Sequence, residues 1–227
     1  MSLLLRYFHS LIHFSFPMNM KRTLLILTAA LLCCGLHAQN IVELPAPMKN
    51  AHMTLFQALE QRASVRSFKA DEILDQTLAE LLWAARGINR PDGRLTAPTA
   101  MNNQEICLYV CREDGCYLYD AKGNCLIQTS EKDVRKDIAG RQTSVAEAPV
   151  FLVLVADLNK YGDITEHAIT YGSVDCGYVS QNICLACEAL GLATVPRAGM
   201  DQEVLKKELG LTDGQVLLIN HPVGYEK

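Results

Sequence analysis

The stretch PVFLVLVA at Pro149–Ala156 is an unbroken apolar run rich in β-branched residues. Such a run is typical of a strand buried on both faces, because neither face carries the polar residues that contact with water would favour. Since other elements must cover both faces of that strand, the stretch predicts a buried strand in a sheet that is flanked by helices.

Strand patterns lie on either side of this run. Three short ones precede it, separated by the turns Glu113-Asp114-Gly115 and Lys122-Gly123-Asn124, and a last buried strand lies near the end of the sequence. Short strands joined by tight turns predict a meander. The predicted strands are Glu105–Cys111, Cys116–Tyr119, Cys125–Gln128 and Gln215–Val223.

Helical patterns separate these strands without a regular strand–helix alternation. This order predicts an α+β fold with a central mixed or antiparallel sheet flanked by helices. Tyr171–Leu190 is apolar most of the way round, so it belongs inside the domain or in a subunit interface. Four shorter helices are predicted from their N-caps, which are Thr54 (with Gln57 in a capping box), Asp75, Ser130 and Asp201, and two of them stop at Gly87 and Gly210.

The start of the sequence is typical of a leader rather than of the fold. Lys21-Arg22 precede the apolar run Thr23–Leu36, and Ala38 is a small residue at a cleavage point, as in a secretory signal. The run is too short to span a bilayer comfortably, so we expect no membrane span in the mature chain. A lipid anchor at Cys33 or Cys34 is the alternative.

These features predict the organisation of the chain. Translation is expected to begin at Met20, and export, to a bacterial periplasm, is expected to follow. The predicted segments are a leader at 1–38, a linker at 39–53 and one domain at 54–227.

Composition limits the classes of function. The chain has 227 residues and a formal charge of −4, which argues against nucleic acid as a partner. Two of the nine cysteines fall in the leader, which leaves seven, and we expect most of these to be small buried residues. Cys184-x-x-Cys187 falls within the long helix rather than at its start, which argues against a redox motif.

Three stretches carry groups suited to ligand binding. In an extended segment, Arg62, Ser64 and Arg66 share one face, and two guanidiniums with a hydroxyl suit a phosphate or a polyol. The loop Pro98–Gln104 contains carboxamides, which can read the edge of a heterocycle. In Gly191–Asp201, a glycine at position 199 permits a ligand to approach the backbone closely. Each stretch also has a purely structural interpretation. The first would be the solvated face of a strand, the second a local turn, and the third the residues that end one helix and begin the next.

Motifs for other chemistries are missing from the sequence. It contains no G-x-G-x-x-G, Walker A, H-E-x-x-H or G-x-S-x-G pattern. A zinc site formed by His52, His167 and His221 is one hypothesis, but we expect surface or hydrogen-bonded histidines and no metal site.

In their order and separations, the three stretches resemble the nitroreductase family of FMN-dependent oxidoreductases. The resemblance runs from about Thr54 to the C-terminus. Further stretches that carry it are Gly87–Gly93, Asp175-x-Gly177, Gln181-Asn182 and Val223-Gly224-Tyr225.

The resemblance implies a cofactor site and a homodimer. Arg62, Ala63, Ser64 and Arg66 would hold the phosphate and ribityl chain of FMN. The loop residues Asn102 and Gln104 would reach the flavin of the dimer, with the long helix at the dimer interface.

The family likeness also assigns a second group of contacts. The backbone at Pro196, Ala198 and Gly199 would lie against the isoalloxazine ring and offer an N–H to N5. Many relatives have an acidic residue where Ala198 stands. Relatives also have a basic pair near the C-terminus, for which Lys227 is the sole candidate, and the C-terminal arm of larger members is absent.

The implied activity is transfer of a hydride or two electrons through flavin N5, to or from a small organic substrate such as a nitro-aromatic or a quinone. No catalytic side chain is strictly required, and NAD(P)H as the donor stays open because the chain looks exported. Two alternatives are a flavin-binding carrier or sensor without turnover and an azoline-type dehydrogenase, whose Lys-Tyr pair Lys160-Tyr161 resembles.

Overall fold

The computed structural model describes residues 40–227. The expectations for the leader (a start at Met20, a secretory signal to Ala38, or an anchor at Cys33 or Cys34) concern residues outside this range.

Seven strands in the described part of the chain form a sheet with the order β1-β4-β3-β2-β5-β7-β6. Every neighbouring pair of strands is antiparallel. Of the two predicted kinds of sheet, mixed and antiparallel, the chain therefore forms the antiparallel one. The strands are β1 Ile41–Glu43, β2 Ile106–Arg112, β3 Gly115–Asp120, β4 Cys125–Ser130, β5 Val150–Asp157, β6 Ala193–Thr194 and β7 Gln215–Gly224. The segment expected to be a linker thus contains a strand, since β1 pairs with β4.

The run at Pro149–Ala156 forms most of β5, which lies between β2 and β7 and is buried on both faces as predicted. Alternate residues of β5 enter two different cores. Leu152 and Leu154 pack in a first core, and Phe151 and Val153 pack in a second. Because alternate side chains of a strand point to opposite faces, each face of the sheet has its own apolar layer.

Five helices and three short 3-10 turns cover the described sheet. The helices are α1 Leu55–Gln61, α2 Asp75–Arg86, α3 Arg135–Ala139, α4 Glu166–Ala189 and α5 Gln202–Glu208. The 3-10 turns are Ala100–Asn102, Thr143–Val145 and Leu158–Tyr161. Residues of α2 and α4 enter the first core, and residues of α3 and α5 enter the second.

Two of the four predicted N-caps are confirmed. Thr54 forms the full capping box with Gln57, and the Asp201 side chain accepts the Val204 N–H. The other two are wrong. Leu74 is the N-cap of α2, and Ser130 ends β4, where its hydroxyl donates to Glu208 at 2.7 Å and accepts the Lys132 N–H. A serine can satisfy a nearby turn as readily as a helix end, so its sequence pattern was ambiguous.

The long helix α4 begins five residues earlier than predicted, with Thr165 as its N-cap. One side of it is buried in the domain, including Cys176, Val179 and Ile183. The opposite side exposes Ile169, Tyr171, Val174 and Tyr178, each more than 40% accessible. The apolar residues on one side of α4 therefore pack in the core, and those on the other side form an exposed apolar face. No helix within residues 40–227 has the length and apolar character needed to cross a bilayer.

His221 lies in β7 and is fully buried. Its Nδ1 is 3.2 Å from the Thr194 hydroxyl and its Nε2 is 2.9 Å from the Ser180 hydroxyl. Thr194 donates its one proton to the Pro222 carbonyl, so it must accept from Nδ1–H, and Ser180 then donates to Nε2. His221 is therefore a neutral, hydrogen-bonded histidine, whereas His52 and His167 are exposed. Within residues 40–227, no group of acidic, cysteine and histidine residues could hold a metal ion.

We predict that acid weakens the fold through His221. Burial lowers its pKa from 6.5 to about 3, so between these values the unfolded chain binds a proton that the folded chain does not. The contribution of His221 to the free energy of unfolding is fully present above about pH 6.5. It is lost as the pH falls toward 3, by up to about 1.4 kcal/mol per pH unit. Urea unfolding at pH 5 to 7.5 should show this slope in the wild type and a smaller one in His221→Gln, while His167→Gln should match the wild type.

Candidate functional site

The segment Arg62–Phe68 contains no regular strand, so the interpretation of Arg62, Ser64 and Arg66 as the face of a strand is wrong. Its only pairing in the described chain is an isolated bridge between Phe68 and Glu226. The bonds of this bridge run from the Lys69 N–H to the Tyr225 carbonyl at 2.8 Å and from the Lys227 N–H to the Ser67 carbonyl at 3.4 Å. The Val65 N–H also donates to the Thr194 carbonyl, at 3.1 Å. The buried Phe68 ring anchors its end. The segment is thus fixed against β6 and the chain's last residues.

Alternate side chains of this segment nevertheless have different surroundings, as expected of an extended stretch. Ala63 and Val65 line a cavity of about 220 Å³. Arg62 is half-buried, and Ser64 and Arg66 are exposed. Neither arginine forms an ion pair with any carboxylate of residues 40–227, and Arg66 donates only to the Ser64 carbonyl, at 3.4 Å. Two guanidiniums without an ion pair, with a serine hydroxyl between them, are groups that suit an anion, so the predicted phosphate contact stays a prediction.

Lys227 lies beside this segment, as its predicted role requires. Its N–H donates to the Ser67 carbonyl at 3.4 Å. Its ammonium group, however, pairs with Glu147. A role for Lys227 in holding a phosphate therefore stays a prediction, and it would require that ion pair to open or to be shared.

The segment after β6 has free backbone donors. Pro196, Ala198 and Gly199 are exposed, and the N–H groups of Ala198 and Gly199 donate to nothing within residues 40–227. The Gly199 carbonyl accepts from the Asn220 side chain at 3.0 Å, which fixes the peptide. A side-chain carbon added at Gly199 would meet only the end of Arg197, at 4.0 Å, so a ligand has room to approach this backbone.

Arg197 is a site residue that the sequence did not identify. Its guanidinium donates to Gln142 and to Ala139 at 2.8 Å each, to Asn220 at 3.0 Å and to Ile138 at 3.3 Å. These contacts tie the segment to the C-terminal end of α3 and to β7. The segment and the residues after α3 together border a cleft of about 790 Å³. A lone arginine after a proline gives no sequence signal for this bracing role.

The amide-rich loop is strained. Met101, Asn102 and Gln104 have φ angles of 54°, 56° and 51°, a region that residues other than glycine seldom adopt. Asn102 is exposed. The Gln104 side chain is not free, because its amide donates to the Gly93 carbonyl at 3.2 Å. The same Gln104 amide also donates to the Asn102 side-chain oxygen at 3.4 Å, so of the two predicted amides the NH2 group of Asn102 is the one available to a ligand.

Lys160 and Tyr161 contact the same loop from behind. Lys160 Nζ donates to the Gln104 carbonyl at 2.8 Å, and Arg86 donates to that carbonyl at 2.9 Å. The Tyr161 hydroxyl is buried, and its ring stacks on Tyr171 at 6.3 Å. Lys160 therefore braces the loop, and Tyr161 packs against α4, which favours a supporting role for both residues over direct contact with a substrate.

Within one chain, the predicted site residues form two groups. The arginine segment shares its cavity with Cys184 and Cys187 of α4, whereas the loop is bonded to Asp175 of α4 through the Ala100 N–H at 2.7 Å. Asp175 and Cys184 are nine residues apart, or roughly 14 Å along a helix. The structure therefore places Asn102 away from Arg62 in the same chain.

The two motif cysteines of α4 are buried, as expected. Cys184 is 5% exposed and Cys187 is 1% exposed. Burial raises the pKa of both thiols, so both are neutral and poorly reactive.

The antiparallel α+β domain of residues 40–227 carries guanidiniums without ion pairs and free backbone N–H groups, which suit a bound organic cofactor. The model of the nitroreductase family matches residues 59–225, and the chain belongs to the nitroreductase family. This family consists of oxidoreductases, which agrees with the resemblance in the sequence.

Relatives support the same assignment. A Methanocaldococcus jannaschii protein that carries the nitroreductase name is 27% identical over 179 residues, covering 73% of this chain and 88% of its own. The Bacillus subtilis FMN reductase [NAD(P)H] is 24% identical over 158 residues, which are 63% of this chain and about half (53%) of the relative.

Solved structures show the same fold. A nitroreductase-like protein of Ralstonia eutropha has a TM-score of 0.78 at 28% identity, over 84% of this chain and 91% of its own. The NADPH:FMN oxidoreductase of Vibrio harveyi, solved with NAD+ bound, has a TM-score of 0.58 at 21% identity, over 76% of this chain and 69% of its own.

Proposed function

We propose that the protein is an FMN-dependent oxidoreductase that acts on a small organic substrate. One observation carries the proposal: the segment with the unpaired guanidiniums of Arg62 and Arg66 is bonded by the Val65 N–H to Thr194. Thr194 leads into the segment in which the N–H groups of Ala198 and Gly199 are free within residues 40–227. An anion-binding segment next to unused backbone donors suits a ligand with a phosphate at one end and a heteroaromatic ring at the other. FMN has this form.

The residues present fit that cofactor. Arg62, Ser64 and Arg66 would hold the phosphate and ribityl chain, and the peptide of Ala198 and Gly199 would hold the ring edge. Bound there, FMN would supply reversible two-electron chemistry. The chain's own part is to retain the cofactor, to orient it and to place fixed positive charge and N–H donors around it.

We also propose that the site is completed by a second copy of the chain. The exposed face of α4 includes Val174 and Tyr178, and α1, which packs against α4, exposes Phe56 to 80%. An apolar surface of this kind marks an interface. A homodimer formed through α4 would let the loop of one chain, with Asn102, reach the arginine segment of the other.

The purified protein tests the cofactor assignment. We expect a yellow protein with a flavin absorbance spectrum, or a colourless one that takes up added FMN and quenches its fluorescence. Anaerobic addition of NADH or NADPH, and then of an artificial donor, should bleach the bound flavin, and a quinone or nitro-aromatic should restore it. A protein that binds no FMN would refute the proposal, and a bound flavin that no donor reduces would indicate a carrier.

Export is a separate proposal, supported by the sequence of residues 1–38 alone. An exported oxidoreductase would need a donor other than cytosolic NAD(P)H. Fractionation of cells that express the chain, with the mass of the mature N-terminus, would test both the location and the cleavage after Ala38.

A further inference from the structure

Three buried polar atoms without a hydrogen-bond partner lie behind the strained loop. They are both carboxyl oxygens of Glu105 and the hydroxyl oxygen of Tyr161, and the two groups lie near each other. Glu105 follows the loop directly, precedes β2 and is fully buried. An ionised carboxylate in such a place would lose its hydration and gain no donor in return.

An acidic neighbour of Glu105 is Asp175 of α4, which is 3% exposed and whose negative charge acts on Glu105. One Asp175 oxygen accepts the Ala100 N–H of the loop at 2.7 Å. Two carboxylates in one buried place repel each other when both are ionised. A protonated Glu105 can instead donate to Asp175, which gives the pair a hydrogen bond that two carboxylates cannot make.

The other ionisable groups around Glu105 come from three further elements and from α4. Arg86 of α2 and Lys160 of the 3-10 turn are cations, but both are held by the Gln104 carbonyl. Cys107 of β2 and Cys176 of α4 are thiols whose pKa burial raises, so they add no charge. Burial raises the pKa of Glu105 to about 7, and the negative charge of Asp175 contributes to the rise.

The loop depends on this buried pair. Three of its residues have left-handed backbone angles, so it keeps its shape only if its surroundings hold it. The Asp175–Ala100 bond holds its start, and the two cations on the Gln104 carbonyl hold its end. A second negative charge next to Asp175 would draw the cations and water toward the pair and loosen both attachments.

We propose that Glu105 is a positioning residue that keeps a proton in the folded protein and, by donating it to Asp175, fixes the loop that carries Asn102. This statement concerns the polypeptide alone. Its consequence for the cofactor rests on the proposed function: loss of the proton should weaken the binding of FMN, because the loop would no longer be held in its binding form.

The direction of the pH effect follows from linkage. Glu105 has an unfolded-state pKa of 4.5 and a higher folded-state value of about 7, so the folded chain binds the extra proton between these values. The stability that this group contributes is present below about pH 4.5 and is lost as the pH rises through 7. The effect is opposite in sign to that of His221, so variants must be compared at each pH.

The proton itself can be observed in the full chain without added FMN. Infrared spectra in D2O at pH 6 should show the carbonyl band of a protonated carboxylic acid, which should fade as the pH rises through 7. Glu105→Gln, which mimics the protonated form, should lack the band and should lose the corresponding slope of the melting temperature with pH. Glu72→Gln, at an exposed position, should keep both, and Asp175→Asn should move the band's midpoint to lower pH. A wild-type spectrum without the band, or a band that survives in Glu105→Gln, would overturn the proposal.

The coupling to the cofactor is measured separately by FMN fluorescence titration. The phosphate of FMN titrates at about pH 6 in both proteins, so the dissociation constant of the wild type is divided by that of Glu105→Gln at each pH. Between pH 6 and 8 we expect this ratio to rise by about fivefold or more, a common size for coupling between sites. If both proteins show the same pH dependence, Glu105 does not position the loop for FMN. If neither binds FMN while the infrared band behaves as expected, the proposed function fails and the proton-holding role of Glu105 stands.

Discussion

Replacing Arg62 or Arg66 by alanine should release FMN while the fold stays intact. Each guanidinium is the charged partner that the cofactor's phosphate would need, and neither forms an ion pair with a carboxylate in residues 40–227. A hydrogen bond to a charged group contributes about 1.5–3 kcal/mol, so each substitution should weaken FMN binding by about 10- to 150-fold. Fluorescence titration gives the dissociation constant, and circular dichroism and the melting temperature report the fold.

The control for this experiment is Arg112→Ala. Like Arg62, Arg112 is partly buried, but it pairs with Asp114 at the turn between β2 and β3, away from the candidate site. Its loss should leave the FMN dissociation constant unchanged. Full FMN occupancy in Arg62→Ala or Arg66→Ala would show that the segment is an ordinary solvated surface.

The fold could be predicted where one strong local pattern determines the structure. The run at Pro149–Ala156 has no polar face, which predicts a strand buried on both faces, and β5 is one. The capping box at Thr54 is a reciprocal pair within four residues and is confirmed. Ser130 was wrongly predicted to be a helix N-cap. Its hydroxyl instead accepts from a nearby N–H and donates to the distant Glu208, and a local pattern does not reveal the second contact.

The candidate site was predictable in its parts but not in its assembly. Alternation in the arginine segment could be read from spacing, because it is a local property of an extended chain. Glu105 gave no such signal, since in the sequence it looks like the polar first residue of a strand. Its burial arises from Asp175 and Tyr161, which are 70 and 56 positions away in the numbering of the chain. Contacts of that separation are set by packing and cannot be read from a local pattern.

A charged substitution on the exposed face of α4 should abolish both the dimer and cofactor binding. Val174 and Tyr178 are one helical turn apart and are each 47% exposed in the single chain. Aspartates at both positions would place two charges in an apolar interface, which is far more costly than leaving them in water. Because the arginine segment and Asn102 lie against different parts of α4, a monomer should hold only half of the site.

The double variant Val174→Asp/Tyr178→Asp should therefore elute as a monomer in size-exclusion chromatography with light scattering, and its FMN dissociation constant should rise by about 100-fold or more, which corresponds to about 2.7 kcal/mol. Leu74→Asp is the matched control, since Leu74 is 69% exposed and is the N-cap of α2, where an aspartate is favourable. It should remain dimeric and bind FMN normally. A monomeric double variant that keeps wild-type affinity would place the whole site within one chain, and Asn102 would then have no part in it.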